Sequence, residues 1–457
     1  MQIPRQLVES LQGLESFDEQ SFKNAHTKPE QITSIRINPF KLSDSNASPF
    51  GGGLEGAFVP WTQYGYYLST RPSFTFDPLF HAGCYYVQEA SGMFLEQALK
   101  QTVDLSKPIK VLDLCAAPGG KSTHIQSLIS KGSLLVSNEV IKSRANILQD
   151  NIIKWGSGNV IVTNNDPKDF ARLENYFDII VIDAPCSGSG LFRRDEDAID
   201  EWSLNNVALC SQRQQRILAD IWPALKRDGI LIYSTCSYSK EEDEDMLDWI
   251  NDHFAVNSLE LTNDKSWNIS PIKSSNGCSG YRFWPYNLKG EGFFIGCFKK
   301  NEGNNEFSVR ARDKAERLTK KDAFIIQPWI LEREHYLFKH NNQVYSLTET
   351  LRNEIDNFLS SLRVVYAGVT IGEIFGNKLV PAHSFALGNL VNKQIPAIEL
   401  DKEQAIRYLQ KKDFSYEIKE PGWSLVKFEG FNLGWVKILS NRLNNYYPKE
   451  LRILKDI

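Results

Sequence analysis

Two of the seven cysteines end apolar β-runs at comparable places, Cys186 in DAPCSGSG and Cys236 in STCSYS. Four carboxylates fall in the same way: Asp113, Glu139, Asp166 and Asp183 each lie at or near the carboxyl end of a successive β-run. In an open α/β sheet that edge is where ligands bind. Any one of these acids could be a helix cap or a loop acid, but four at equivalent places describe a site.

The loop between the first two acids has its own chemistry. In VLDLCAAPGGKSTHI, Val111 to Ile125, a short apolar run gives way to Ala, Pro and two glycines, and a helical pattern starts at Lys121. Strand, tight loop and helix N-terminus make a cradle, with Gly119 and Gly120 expected to let backbone approach a ligand and the first N–H groups of the helix facing it. A P-loop requires Gly five residues before its Gly-Lys pair, where this chain has Cys115, and a dinucleotide fingerprint requires three glycines where the loop has two. Glu139 follows about twenty residues on, at the end of SLLVSNEV, where a carboxylate can accept hydrogen bonds from both hydroxyls of a ribose, and Asp166 could hold an adenine amino group. An adenosine ligand without pyrophosphate fits best, which points to S-adenosylmethionine.

The thiols narrow the acceptor. A methyltransferase acting on a base amino group is expected to carry Asn/Asp-Pro-Pro-aromatic, whereas here Asp183-Ala-Pro is followed by Cys186. Carbon 5 of cytosine is a poor nucleophile until a thiolate adds to carbon 6 and makes an enamine that can take a methyl group. Covalent catalysis by cysteine therefore accounts for strand-end thiols. Cys84, Cys210, Cys278 and Cys297 are read instead as small buried hydrophobes.

Positioning these groups requires an alternating α/β unit. From about 101 to 300, IKVLDLC, SLLVSNEV, NVIVTN, FDIIVIDAPC and GILIYSTCS alternate with helical stretches, as a parallel sheet covered on both faces requires. The acidic EEDEDMLDWINDHF reads as a solvated helix with one buried stripe, and YRFWPYNLKGEGFFIGCFKK as an antiparallel hairpin on the sheet edge. Before this unit come an amphipathic helix (QLVESLQGL), the β-run SIRIN and the aromatic stretch VPWTQYGYYLSTRPSFTFDPLF, read as a small core whose outward rings could stack on bases.

Composition sets the limits. The 457 residues exceed one ordinary domain, with 42% hydrophobic and 24% charged residues and no apolar run long enough for a membrane span. An odd cysteine count without CxxC argues against a disulfide framework and a zinc site, and the start lacks a secretory pattern, so a cytoplasmic protein is expected. Net charge is −4, yet the stretch from Arg407 onward holds ten Lys/Arg against six Asp/Glu.

Together, YVQEASGMF, VLDLCAAPGGKSTHI, NEV, DAPCSGSGLFRRD, STCSYSKEEDE and YRFWPYNLKGEGFF resemble the Sun (Fmu) family of RNA cytosine-C5 methyltransferases. The resemblance implies Cys236 as nucleophile and Cys186 as the group assisting product release. It implies cofactor contacts from Cys115, Ala116, Ala117, Pro118, Gly119, Gly120, Lys121, Glu139, Asp166 and Asp183, with Asp183 also on the cytosine edge. The implied architecture is a Rossmann-like methyltransferase domain (101–304) behind a small N-terminal α+β RNA-binding domain (1–100). A connector or small packing domain (305–360) then leads to a β-rich PUA-like domain (361–457), similar to that of bacterial members acting on the small ribosomal subunit. RNA is the implied partner, 16S ribosomal RNA first and tRNA second, with S-adenosylmethionine as cofactor, no metal, no membrane and a monomeric chain. A catalytically idle RNA-binding assembly factor is the rival from another class.

Overall fold

The computed structural model describes residues 3–27, 32–42, 57–307, 312–331, 335–416 and 420–456, which form four sheets. The first is antiparallel, with β1 (Thr33–Ile37) between β2 (Gly65–Leu68) and β3 (Tyr85–Val87). The parallel strands follow: β4 (Lys110–Asp113), β5 (Leu134–Asn138), β6 (Val160–Thr163), β7 (Phe177–Asp183) and β8 (Leu225–Thr235), in the spatial order β8-β7-β4-β5-β6. Beyond β8 the sheet continues antiparallel through β9 (Val256–Leu259), β10 (Ser270–Lys273), β11 (Ser279–Phe283) and β12 (Phe293–Lys300). β11 and β12 are the hairpin expected on this edge.

Next, β13 (Glu316–Arg317), β14 (His335–His340) and β15 (Gln343–Thr348) begin a third sheet; the chain leaves it for β16 (Val364–Ala367), antiparallel to β6, and returns with β17 (Val369–Phe375) and β18 (Lys378–Pro381). The segment 305–360 is thus more than a connector, because it supplies three of five strands in a sheet that crosses position 360. Its charged stretch VRARDKAERLTKKD begins at residues 309–311, which lie outside the described residues. The last sheet holds β19 (Ala397–Leu400), β20 (Gly422–Phe428), β21 (Phe431–Ile438) and β22 (Leu443–Asn445). Among the described residues no helix is long and apolar enough to cross a membrane.

Strand periodicity builds the cores of the central sheet. Side chains alternate faces along a strand, so Val111, Ile179, Val181 and Ile232 pack into one cluster while Leu112, Ile180, Ile182 and Leu231 pack into the other. Both faces are buried, which is why these runs are continuously apolar. The order β4-β7 marks the point where chain direction across the sheet reverses, and a crevice opens there at the carboxyl ends.

A separate core joins the two ends of the chain: Ile35, Tyr66, Leu79 and Tyr85 pack with Ile398, Tyr408, Val426 and Tyr447. Within the aromatic stretch Trp61, Tyr66 and Tyr67 are buried while Tyr64, Phe74, Phe76 and Phe80 are half-buried, and Phe58 just before it is 62% exposed. One expectation fails here: the start of the acidic helix is not solvated. Glu242, Asp243 and Glu244 are all buried.

Two histidines, His26 and His124, are fully buried, and burial lowers each from the ordinary imidazole range to about 4, at His124 against an opposing pull from the Glu96 carboxylate 3.0 Å from its Nε2. Both are held neutral in the fold and gain a proton on unfolding, so their contribution is complete above pH 6.5 and is lost as pH falls towards 4. Between pH 7 and pH 5 the loss is expected to be about 2 kcal/mol per histidine. Urea titrations at both pH values check it: replacing both residues by Gln should reduce this pH dependence, with the part due to the likewise lowered His81 and His383 remaining, and an unchanged dependence would contradict it.

Candidate active site

The loop after β4 is held from outside by side chains of the following elements. The Ala116 N–H donates to the Asn138 carbonyl (2.8 Å) and Asn138 Nδ2 to the Leu114 carbonyl (3.2 Å); Arg144 Nη2 reaches the Ala117 carbonyl (2.9 Å) and Asn151 Nδ2 the Pro118 carbonyl (2.8 Å). Gly119 precedes the helix Gly120–Leu128 with φ +115°, a conformation that strains any L side chain. A Cβ there would meet Leu148 and Asn151, and one at Gly120 would meet Tyr86. The glycines therefore serve the turn and its packing against neighbouring elements, where ligand approach had been expected.

From β1, the buried Arg36 donates to the Gly120 carbonyl (3.2 Å), the Thr123 carbonyl (3.3 Å) and Thr123 Oγ1 (2.6 Å), with its guanidinium 4.5 Å from the Trp155 ring centroid. The first sheet thus fixes the first turn of the loop helix.

A cleft of about 660 Å³ opens at the carboxyl edge of the sheet, within the size range of small-molecule sites. Cys115, Ala117, Glu139, Asp183, Cys186 and Cys236 line it, together with Arg213 and Arg216. Glu139 is buried; its Oε1 accepts the Ile141 N–H (2.9 Å) and its Oε2 lies 3.4 Å from Arg144 Nη1. The remaining expected residues are placed otherwise. Ala116, Pro118, Gly119 and Gly120 stand behind the lining. The Asp166 side chain accepts the Lys168 N–H (3.2 Å) and caps the turn Pro167–Leu173, leaving Pro167 on the cleft wall. Asp113 is buried beneath the loop and accepts the Ser122 hydroxyl at 2.6 Å, and burial pushes its carboxyl up to about 7.

The thiols meet because β7 and β8 pair in parallel with Asp183 opposite Ser234. Three residues past one and two past the other bring Cys186 Sγ to 3.1 Å from Cys236 Sγ. The Cys236 contact and then burial push the Cys186 thiol well above its ordinary range, with the Glu242 carboxylate adding to the shift. Asp183 receives Ser234 Oγ at 3.0 Å and Lys121 Nζ at 2.8 Å. Burial alone would lower Lys121, but Asp183 first, then Asp113 and Cys236, together more than offset it and the cation is stabilised.

Three features absent from the sequence reading hold this pair. The Gly190 N–H donates to the Cys236 carbonyl (2.8 Å), and a Cβ at Gly190 would lie 2.7 Å from that oxygen. Glu242 joins both cysteine loops: its Oε1 accepts the Ser187 N–H (2.8 Å) and Gln214 Nε2 (3.2 Å), and its Oε2 accepts the hydroxyls of Ser187 (2.5 Å) and Ser237 (2.6 Å). Asp243 accepts from Thr235 Oγ1 (2.5 Å) and lies 3.1 Å from Arg282, which also pairs with Glu244. A buried acid can be found in a sequence only through its partners, and Ser187, Gln214 and Arg282 are remote in the chain.

The 16S rRNA methyltransferase RsmB/F family matches residues 100–299. The N-terminal domain of 16S rRNA methyltransferase RsmF matches 3–90, and the methyltransferase RsmF PUA domain matches 395–453. Ribosomal RNA small subunit methyltransferase F of Aeromonas salmonicida is 31% identical, across 92% of this chain and 90% of that protein. The chain belongs to the RsmB/F family. The protein of the same name from Psychromonas ingrahamii is 30% identical, with the same coverage of both chains. A solved methyltransferase homolog protein from Pyrococcus horikoshii shares 27% identity over 65% of this chain and all of that chain, with a TM-score of 0.51. NSun6 from the same organism, solved with SFG, shares the fold at 18% identity and a TM-score of 0.54, over 66% of this chain and 99% of that one. Within this RsmB/F member the three matched spans contain the first, second and fourth sheets, apart from β16, while the third sheet lies outside them.

Proposed function

We propose that this RsmB/F member transfers a methyl group from S-adenosylmethionine to carbon 5 of a cytosine in 16S ribosomal RNA, through a covalent bond between Cys236 and carbon 6. The carrying observation is the pair of thiols 3.1 Å apart on the wall of a ligand-sized cleft beside Asp183 and Lys121. A structural thiol is an apolar filler, whereas these two line an accessible cavity. The cleft fits the cofactor by its size and by a buried carboxylate, Glu139, with lone pairs left for ribose hydroxyls. When bound, S-adenosylmethionine supplies an electrophilic methyl group.

The chain's residues divide the rest. The Cys236 thiolate adds to carbon 6, and the displaced electron pair makes carbon 5 nucleophilic towards the methyl group. Asp183 is the acceptor matched to the cytosine amino group, and Lys121 supplies a cation beside the attacking sulfur. After transfer, carbon 5 carries a proton that must leave. The main cause of the raised Cys186 pKa is the Cys236 contact, and that contact no longer opposes ionisation once Cys236 is bonded to carbon. Cys186, its own proton given to solvent, takes the carbon-5 proton; the electrons left behind restore the ring double bond and expel the Cys236 thiolate. Arg213 and Arg216 at the cleft suit RNA phosphates. Every group named belongs to one chain and none requires a metal, so a monomer without metal is the proposed acting unit, and a ribosomal substrate would place it in the cytoplasm.

Bisulfite sequencing of total RNA from cells with and without the protein tests the reading: one small-subunit cytosine should lose protection when the protein is absent. Protection unchanged at every cytosine would overturn it. For the cofactor half, Glu139→Ala should weaken S-adenosylmethionine binding by on the order of 1–3 kcal/mol, because a ribose loses a charged acceptor. Calorimetry giving wild-type affinity would remove Glu139 from the site.

A further inference from the structure

A second cleft, of about 630 Å³, lies where the helix Lys320–Ile326 and its following turn meet the β17–β18 turn and the ends of β20 and β21. Its lining carries three cations, Lys321, Lys378 and Lys437, and no acid. The helix's own acid, Asp322, is buried and paired with Lys339 at 2.7 Å. Three aromatic residues also line it: Phe324, Trp329 and Trp423. Phe324 is 77% exposed, an unfavourable place for a large ring that nothing covers. Trp423 is braced by the Tyr446 ring, 4.4 Å away at 64°, with Lys437 Nζ 5.4 Å from its centroid.

From this arrangement, resting on the RNA reading above, we infer that the second cleft is a binding site for an unpaired RNA segment, its bases stacked on Phe324 and Trp423 and its phosphates met by the three lysines. Aromatic faces accept any base, and ammonium groups follow the backbone, which is how single strands are held without sequence readout. Charge argues for this occupant, since an all-cationic lining stands out in a chain of net charge −4. Much of the site comes from outside the matched PUA span of 395–453: Lys321 and Phe324 on the helix, Trp329 in the turn after it and Lys378 on β18.

The test uses the full chain, a short labelled oligouridine and an RNA duplex of equal length, read by anisotropy across a salt series. Phe324 and Lys378 are exposed, so Phe324→Ala and Lys378→Ala should fold as the wild type does. Phe324→Ala should weaken oligouridine binding about tenfold, with the duplex little affected. Lys378→Ala should reduce the salt slope by about 0.7, one single-strand phosphate contact. Wild-type affinity and slope in both variants would overturn the inference, as would equal losses on oligouridine and duplex. Absence of methyl transfer by the wild-type protein would instead strike the functional reading, while the oligouridine titrations would still decide the cleft.

Discussion

Incubated with S-adenosylmethionine and substrate RNA, the Cys186→Ala protein should accumulate a denaturant-resistant protein–RNA adduct that carries the transferred methyl group, whereas Cys236→Ala should form no adduct and transfer no methyl. In the proposed reaction the attack requires only the Cys236 sulfur, so losing Cys186 should leave the first bond-forming steps intact. Release requires removal of the carbon-5 proton, and with Cys186 gone the complex stalls after methylation. Asp183→Ala in the Cys186→Ala background should lower adduct yield, because the base edge and Lys121 both lose their carboxylate partner. A denaturing gel with labelled cofactor reads all three variants. An adduct from Cys236→Ala and none from Cys186→Ala would exchange the two roles.

Glu242→Ala should have the largest effect on stability, on the order of 3–5 kcal/mol. Four donors on three residues would lose their acceptor, and each buried donor left unsatisfied costs about 1–3 kcal/mol, part of which relaxation recovers. Burial already pushes the Glu242 carboxyl up, opposed by those same hydrogen bonds. Because the acceptor ties the residue after each cysteine, its loss should also disturb the 3.1 Å sulfur separation. Glu242→Gln keeps one acceptor oxygen and should fold better. In that variant adduct formation should slow by at least about tenfold while S-adenosylmethionine affinity stays at the wild-type value, since no Glu242 contact reaches the loop after β4. Chemical denaturation checks the first effect, and single-turnover adduct formation beside calorimetry checks the second. Equal losses in cofactor binding and adduct formation would reduce Glu242 to a general support of the fold.

What the sequence made legible is the chemistry carried by local pattern. Strand periodicity and the intervening helices located the parallel sheet, and the strand-end positions of Glu139, Asp183, Cys186 and Cys236 placed them on one edge, where the cleft lies. Residue type at a strand end says nothing, however, about where a side chain turns. Asp166 became a cap and Asp113 a buried partner of Ser122, because short acids next to a loop find nearby N–H and O–H groups first. Glu242, Asp243 and Glu244 looked solvated, since their burial depends on partners brought in by β11 and by the loops after β7 and β8. Arg36 was hidden likewise: within SIRIN it is one charge in an apolar run, and its carbonyl partners belong to another sheet's helix. The third sheet did leave a signal. HYLFKH and QVYSLT flank Asn341 and Asn342, both at positive φ, a turn pair that Asn tolerates better than most residues.

The central claim is the atom that receives the methyl group, and digestion of the RNA to nucleosides after transfer from labelled S-adenosylmethionine reads it directly. The expected product is 5-methylcytidine, carrying all of the label and lost in Cys236→Ala. Label recovered as N4-methylcytidine, or 5-methylcytidine still formed by Cys236→Ala, would contradict attack through the Cys236 sulfur.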